Sequence, residues 1–167
     1  MNSDAFSFDQ EIDLFLATCR TASLATVGRL GGDAGQPHAA NVQYAHDASW
    51  CLYWISSPDS AHSQHLAAHP RAAVTVYAHQ DVPELIHGLQ MHGTVDLVIE
   101  HGQAEWHRVW ELYTRKYDFV RSVPQLREAA EKQKFYCFRP TWVRWIDNRK
   151  GFGWKIEKDL AMAEPSD

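Results

Sequence analysis

Residues 50–64 of this 167-residue chain, WCLYWISSPDSAHSQ, join the end of a predicted strand to the start of a predicted helix. The stretch begins with aromatic and aliphatic residues that are typical of a buried strand. It continues through serines, a proline and an aspartate, and a helical pattern begins at Ala61. Where a strand leads into a helix in this way, free backbone N–H groups, the positive end of the helix and side-chain hydroxyls meet. The stretch therefore predicts a turn that can hold an anion such as a phosphate.

Helix capping is the simpler interpretation of the same turn. Ser57, Asp59 and Ser60 carry side-chain oxygens of the kind that accept the unpaired N–H groups of a first helical turn. Between Arg29 and Arg71 the sequence contains no lysine or arginine, so an anion held here would depend on backbone, hydroxyl and histidine groups. The turn by itself leaves capping and phosphate binding both open.

Segments on both sides of this turn predict a mainly β fold of the α+β class. Alternating and β-branched segments predict six or so strands, at 23–27, 38–46, 50–55, 71–79, 85–99 and 135–146, the last divided into a pair at Pro140. Helical patterns predict helices at 12–19, 61–69, 100–119 and 122–133. This order of elements indicates a six-stranded antiparallel split β-barrel with peripheral helices. We expect one domain over residues 1–160 and a frayed polar tail at 161–167.

Composition and charge argue against several classes of protein. Hydrophobic residues make up 45% and charged residues 22% of the chain, which indicates a globular domain. The formal net charge of −5, without a cluster of lysine or arginine, argues against a nucleic-acid-binding protein. The 3 cysteines are far apart, the first residues are acidic, and no apolar run reaches transmembrane length. We therefore expect a cytoplasmic protein that binds neither nucleic acid nor a membrane.

Five short segments follow one another along the first two thirds of the chain: LATV at 24–27, GQPHAANV at 35–42, LYWIS at 52–56, SAH at 60–62 and HPRAAV at 69–74. In this order and spacing they resemble the FMN-binding split β-barrel, the superfamily of pyridoxamine 5'-phosphate oxidase. The resemblance covers residues 20–99 well and the later strands loosely. Residues 147–155, DNRKGFGWK, further resemble the DNxxGFGxK ending of a small uncharacterised bacterial branch.

The resemblance implies a cofactor and a place for it. In this superfamily FMN lies at a homodimer interface, with its ring along the second strand and its phosphate at the turn after the third. Residue by residue, this implies the ring at Ala40, Asn41 and Val42, the phosphate at Ser56, Ser60 and His62, and the carbonyl edge and open face of the ring at Gln90 and Trp145.

His62 departs from the pattern of the superfamily, whose members commonly carry lysine or arginine at this position. A permanent positive charge suits a phosphate dianion, whereas a histidine with an ordinary pKa near about 6.5 is only partly charged at neutral pH. A bound phosphate would raise the pKa of His62 and favour the imidazolium. We therefore expect weaker FMN binding than in lysine-bearing relatives, and binding that strengthens as the pH falls towards about 6.

Several histidines and tryptophans have more than one interpretation. His62, His65 and His69 share one helical face, and His65 with His69 could form a metal pair. A metal site needs further ligands that the sequence does not supply nearby, so solvated surface histidines are favoured and no metal site is predicted. Trp142 and Trp145 on the last strands could cover the flavin ring or pack in the core.

No serine–histidine–aspartate, cysteine–histidine or paired-carboxylate spacing stands out, so no catalytic residue is predicted. The resemblance implies an FMN-dependent oxidoreductase, in which the flavin exchanges a hydride or electrons between a nicotinamide or other reductant and a small molecule. Whether the chain is an enzyme stays open. The alternatives are a flavin-binding or cofactor-free module for sensing or storage, and a haem-binding or haem-degrading protein.

Overall fold

The computed structural model describes residues 7–28, 32 and 34–160, with the side chains of 96 and 97 left aside. Its strands are β1 Thr21–Val27, β2 Pro37–Gln43, β3 Ala45–His46, β4 Leu52–Ser56, β5 Arg71–Tyr77, β6 His87–Ile99, β7 Lys134–Asp147 and β8 Lys155–Asp159. They form one antiparallel sheet in the order β2-β1-β5-β6-β7-β4-β3, and β8 pairs with the second half of β7, beyond the part that pairs with β4. β2 also approaches β4 without pairing with it, so the sheet curls into a half-barrel.

The described residues form five α-helices around this sheet. They are α1 Phe8–Thr18, α2 Ala61–Ala68, α3 Ala104–Lys116, α4 Asp118–Ser122 and α5 Pro124–Glu131. Short 3-10 turns at Pro83–Leu85 and Asn148–Lys150 complete the described elements. Within the described ranges, no helix has the length and apolar character needed to cross a membrane.

The predicted architecture is confirmed, and within the described ranges the number of strands is corrected from about six to eight. The predicted strand 38–46 divides into β2 and β3, and β8 was not predicted. The five residues of β8 are all exposed and mostly charged, so the segment carries no apolar pattern to reveal it. The predicted tail 161–167 lies outside the described residues.

Strand β7 continues through Pro140, where the sequence suggested a division. Pro140 faces Gly93 of β6, next to a shift of register between His92 and Gly93. A proline cannot donate a ladder hydrogen bond, and a β-bulge is one of the few places where a strand tolerates it. The bulge therefore allows β7 to contain Pro140 and continue as one long strand.

The inner face of the half-barrel holds the main core. Leu24, Val74, Met91 and Val143 lie side by side across β1, β5, β6 and β7, and each is almost fully buried. Helix α1 closes this face with buried residues such as Ile12. Burial of this apolar row stabilises the sheet in the orientation that its alternating pattern specifies.

A second apolar cluster covers part of the outer face. Trp106 and Tyr113 of α3 pack edge-on against Phe135 of β7. The cluster also buries Tyr53 of β4 and Cys137 of β7. Helix α3 therefore covers the outer face of β4 and the start of β7, whereas the outer face of β2, β1, β5 and β6 carries mainly exposed side chains.

Replacing Lys116 with methionine should lower the free energy of unfolding by about 2 kcal/mol. Its Nζ donates hydrogen bonds to the carbonyl oxygens of Leu16 (2.7 Å) and Cys19 (2.6 Å), and it lies 4.0 Å from the centre of the Tyr44 ring. A cation at the C-terminal end of a helix is favourable, and burial lowers the pKa of Lys116 to about 8. Methionine keeps the chain length but leaves both carbonyl groups without this donor. Urea denaturation measures the loss.

Lys132→Met is the matched control. Lys132 bonds to Glu128 one turn away on exposed helix α5, and such solvent-exposed pairs contribute little to stability, so its replacement should cost much less. Equal losses for the two variants would contradict the role given to Lys116 at the end of α1.

Candidate functional site

Two hydroxyls and an imidazole converge where β4 leads into α2. Ser56 Oγ lies 2.8 Å from His62 Nε2 and 3.2 Å from Ser60 Oγ, and Ser60 Oγ lies 3.2 Å from His62 Nε2. We call Ser56, Ser60 and His62 the serine–histidine cluster. The strand ends at Ser56, and Ser60 directly precedes the helix. The short turn between them therefore brings the three side chains of the cluster together. The structure thus groups the three residues for which phosphate contact is predicted.

Capping does not account for the Ser60 hydroxyl. Ser60 occupies the N-cap position of α2, but its side chain accepts no hydrogen bond from the first helical turn. Its Oγ instead donates to the Ser57 carbonyl oxygen (2.9 Å) and lies 2.8 Å from Ser63 Oγ. The first N–H groups of α2 therefore have no side-chain cap in the described structure, and such groups attract anions.

Further histidines extend the cluster towards the end of the barrel. The rings of His38 and His62 are stacked with centroids 6.5 Å apart, and His65 meets His38 edge-on at 5.4 Å. His65 Nδ1 lies 3.1 Å from Thr26 Oγ1 in a buried pair. His65 is only 9% exposed, so the interpretation of His65 as a surface histidine is wrong. The sequence did not suggest His38 or Thr26, because their approach depends on the pairing of β1 with β2.

In the described part of the chain, no group of three histidine, cysteine or acidic residues could hold a metal ion. His69 Nδ1 accepts a hydrogen bond from the Arg71 backbone N–H (3.3 Å), whereas His65 turns to Thr26. The two histidines of the suggested metal pair therefore have separate partners.

The surroundings of His62 disfavour its charged form. Burial is the main cause of a lowered pKa, and the neighbouring His38 and His65 lower it further. In the free protein the imidazole is therefore mostly neutral at and above pH 7. An anion bound to the His62 imidazole would raise this pKa, against the effects of burial, His38 and His65.

A row of polar side chains crosses the uncovered outer face of the sheet. Asn41, Ser23, Thr75, Gln90 and Arg144 are successive register partners across β2, β1, β5, β6 and β7. Directly paired residues point to the same face of a sheet. Asn41 Oδ1 accepts a hydrogen bond from Ser23 Oγ (2.9 Å), and Gln90 Oε1 accepts one from Arg144 Nη1 (3.3 Å). The amide N–H₂ groups of Asn41 and Gln90 take no part in these two bonds and are thus among the groups that this row can offer to a ligand.

The other predicted ring contacts lie on the opposite face. Ala40 pairs with buried Leu24, and Val42 is itself in the core. Because β2 is the last strand in the sheet order, its backbone beside these residues is the part that a ligand on the open edge would meet. Trp145 also points inward, is 1% exposed and packs edge-on against Phe15 with centroids 4.8 Å apart. This geometry corresponds to the core alternative for Trp145.

Comparison with known proteins supports the same fold. The family described as Pyridoxamine 5'-phosphate oxidase matches residues 8–147. No curated protein gives a significant match. A conserved hypothetical protein from Mycobacterium tuberculosis has a similar structure, with a TM-score of 0.70, 22% identity, and 99% of this chain and 98% of that chain covered.

Two further proteins have similar structures. One is a heme binding protein from Mycobacterium smegmatis, with a TM-score of 0.70, 18% identity, and 93% of this chain and 59% of that chain covered. The other is an F420 reductase, with a TM-score of 0.58, 20% identity, and 78% and 94% covered. At these identities the likeness concerns the fold alone. Since the family match spans most of the sequence, the chain belongs to the pyridoxamine 5'-phosphate oxidase family.

Proposed function

We propose that this protein binds FMN at the interface of a homodimer and acts as an oxidoreductase on a small molecule. The observation that carries the proposal is the convergence of Ser56, Ser60 and His62 within 2.8–3.2 Å at the uncapped start of α2. Family membership and the similarity to an F420 reductase support a redox cofactor. Bound FMN would supply hydride or electron transfer, and the chain would supply its position and surroundings.

The serine–histidine cluster has the donors that a flavin phosphate needs. The Ser56 hydroxyl can donate one hydrogen bond, and the Ser60 hydroxyl can do so by turning from the Ser57 carbonyl oxygen to the ligand. The first turn of α2 offers backbone N–H groups, and protonated His62 offers a charge-assisted bond. The hydrogen bonds inside the cluster also hold the three side chains in one place before a ligand arrives. The residues present therefore fit a phosphate.

The polar row on the outer face is the place that we propose for the ring. Asn41 and Gln90 are three strand spacings apart, or roughly 14 Å of sheet, so one planar ring could meet both only at its opposite ends. A second copy covering this face would exclude water from the ring. It would also cover Tyr77, a large aromatic residue that is mostly exposed at the end of β5. Light scattering of the purified protein tests the homodimer.

Ser60→Ala should weaken FMN binding about tenfold, because it removes one hydrogen bond to a charged group. Ser57→Ala is the matched control in the same turn, since the Ser57 hydroxyl accepts from the Asp59 N–H and lies outside the cluster. Quenching of FMN fluorescence on titration with protein gives both affinities. Equal affinities for the two variants would place the phosphate elsewhere.

The visible absorption spectrum separates the proposed enzyme from the alternatives. We expect oxidised-flavin bands that persist after excess FMN is added and the protein is desalted. Bleaching of these bands by NADH or NADPH would support an oxidoreductase, whereas a bound flavin that neither reductant bleaches would favour a sensing or storage role. A protein that stays colourless would contradict FMN binding.

Haem is the second candidate ligand, supported by the similarity to a heme binding protein. His92 is exposed on the outer face and stacks on Trp142 with centroids 4.6 Å apart. Across the neighbouring strands its register partner is the small Ala73, which in turn pairs with Ala25, so a flat ring could lie beside the imidazole. A Soret band that appears with haem and is lost in His92→Ala would favour this candidate over FMN.

A further inference from the structure

A cavity of about 440 Å³ lies between helix α1, the start of β6 and the turn after β7. Its volume falls in the usual range for small-molecule sites. None of its described lining residues belongs to the serine–histidine cluster or to the polar row of the outer face. The cavity is therefore separate from the proposed flavin site.

The lining of the cavity is mainly apolar and aromatic. Phe15, Trp145 and His87 meet edge-on there, with centroid separations of 4.8–5.8 Å. His87 Nδ1 lies 2.7 Å from the Leu85 carbonyl oxygen, which fixes the ring and makes Nδ1 the hydrogen-bond donor. Leu14, which is 56% exposed, contributes to the same lining from α1. The ring edges and faces of Phe15, Trp145 and His87 would pack favourably against a planar aromatic ligand.

Arg149, one of the charged groups that line the cavity, is held in place by a buried carboxylate. Asp147 is fully buried, and its carboxylate accepts bonds from Arg149 Nε (2.7 Å) and Nη2 (2.8 Å). Burial by itself would raise the pKa of Asp147, but the hydrogen bonds from the side chain and backbone N–H of Arg149 hold it below its usual value, so the carboxylate stays charged beside the guanidinium. Arg149 thus presents a fixed cation to the cavity that its side chain lines.

The bidentate bond to Asp147 uses only one edge of the guanidinium. A guanidinium has five N–H donors, and the edge formed by Nη1 and Nη2 carries two that are parallel. No described residue hydrogen-bonds to Nη1 of Arg149, and the side chain is 45% exposed. The other charges of the lining, Glu11 and Lys150, pair with each other. The free edge of Arg149 is therefore the group best suited to a planar, two-oxygen anion.

We propose that this cavity is a second small-molecule site, which binds a planar aromatic carboxylate. The carboxylate takes the free edge of Arg149, and the aromatic part lies against Phe15, Trp145 and His87. A carboxylate matches the parallel donors of a guanidinium in two bonds, which a neutral amide of the same shape cannot do equally well.

The test uses 2-naphthoate and its neutral counterpart 2-naphthamide in calorimetric titrations at pH 7.5. We expect saturable binding of naphthoate to one site per chain, at least about tenfold tighter than naphthamide. Leu14→Glu should weaken naphthoate at least about tenfold by placing a carboxylate in the lining, whereas Leu14→Gln, a control of the same shape, should change it less than about threefold. Leu14 is exposed on α1, so both variants should fold.

A titration with FMN present distinguishes this site from the flavin site. Excess FMN should leave the naphthoate affinity unchanged within about twofold. Competition by FMN, equal affinities for naphthoate and naphthamide, equal effects of the two Leu14 variants, or no saturable binding would each overturn the proposal. None of these results would bear on whether FMN binds at the serine–histidine cluster.

Discussion

Lysine in place of His62 should tighten FMN binding about tenfold at pH 8 and remove most of its dependence on pH. His62 lies 2.8 Å from Ser56 Oγ in the serine–histidine cluster, and burial together with His38 and His65 lowers its pKa in the free protein. A lysine stays charged across this range, so it offers the phosphate a permanent partner. The wild-type protein must first protonate a neutral imidazole.

The sign of the wild-type dependence follows from proton uptake. The pKa of free His62 lies below its ordinary value, and a bound phosphate dianion raises it, so FMN binding takes up a proton between the two pKa values. The dissociation constant should therefore fall as the pH falls from 8 towards 6.5, by up to about tenfold per pH unit. Below about pH 6 the phosphate itself gains a proton, and the increase in affinity should level off.

Fluorescence titrations at several pH values, with two controls, check this prediction. His62→Gln is neutral at every pH and should bind FMN weakly without a pH dependence. Riboflavin has the same ring without a phosphate, so its weaker binding should not change between pH 6.5 and 8. A wild-type affinity for FMN that is constant over this range would show that His62 does not meet the phosphate. Riboflavin binding as tight as FMN would lead to the same conclusion.

The serine–histidine cluster could be predicted because its geometry is local. Ser56, Ser60 and His62 are within seven positions of each other, and a strand end followed by a helix start leaves few ways to arrange them. His38 and His65 could not be placed in this way. Their contact requires β2 to pair with β1 in one register and α2 to cover the end of that pair, which depends on tertiary packing.

The same difference between local geometry and tertiary packing applies to the residues that were predicted to contact the flavin ring. Two-residue alternation assigns Gln90 to one face of its strand but cannot say which face the helices leave uncovered. The structure shows that Asn41 and Gln90 share the uncovered face, and that Trp145 points to the core. For Trp145 the sequence offered a core role and a cofactor role, and only the packing of α1 against the sheet distinguishes them.

Gly93 connects the fold to the proposed ring site. It lies at the register shift between β6 and β7, only three residues from Gln90. A slip of one residue in a strand moves every side chain to the opposite face of the sheet. The extra residue of β7 at this bulge therefore sets which residue of β7 pairs with Gln90, and with it the bond between Gln90 and Arg144.

Gly93→Ala should lower the free energy of unfolding by at least about 3 kcal/mol. A Cβ atom at this position would overlap with the backbone carbonyl group of Arg139 and lie 2.9 Å from the ring of Phe138. The overlap is with backbone inside a sheet, so it cannot be relieved by turning a side chain. Urea denaturation should show a clear fall in the midpoint, and bound flavin, where it can be measured, should be lost with it.

Gly102→Ala separates this steric effect from the general cost of replacing a glycine. Gly102 has a φ of +92°, but a Cβ there meets nothing within 4 Å. Its replacement should cost only about 1 kcal/mol, from backbone strain alone. If the two variants lost equal stability, the close approach of β6 and β7 would not be the reason for glycine at position 93. The bulge would then be too adaptable to hold Arg144 opposite Gln90.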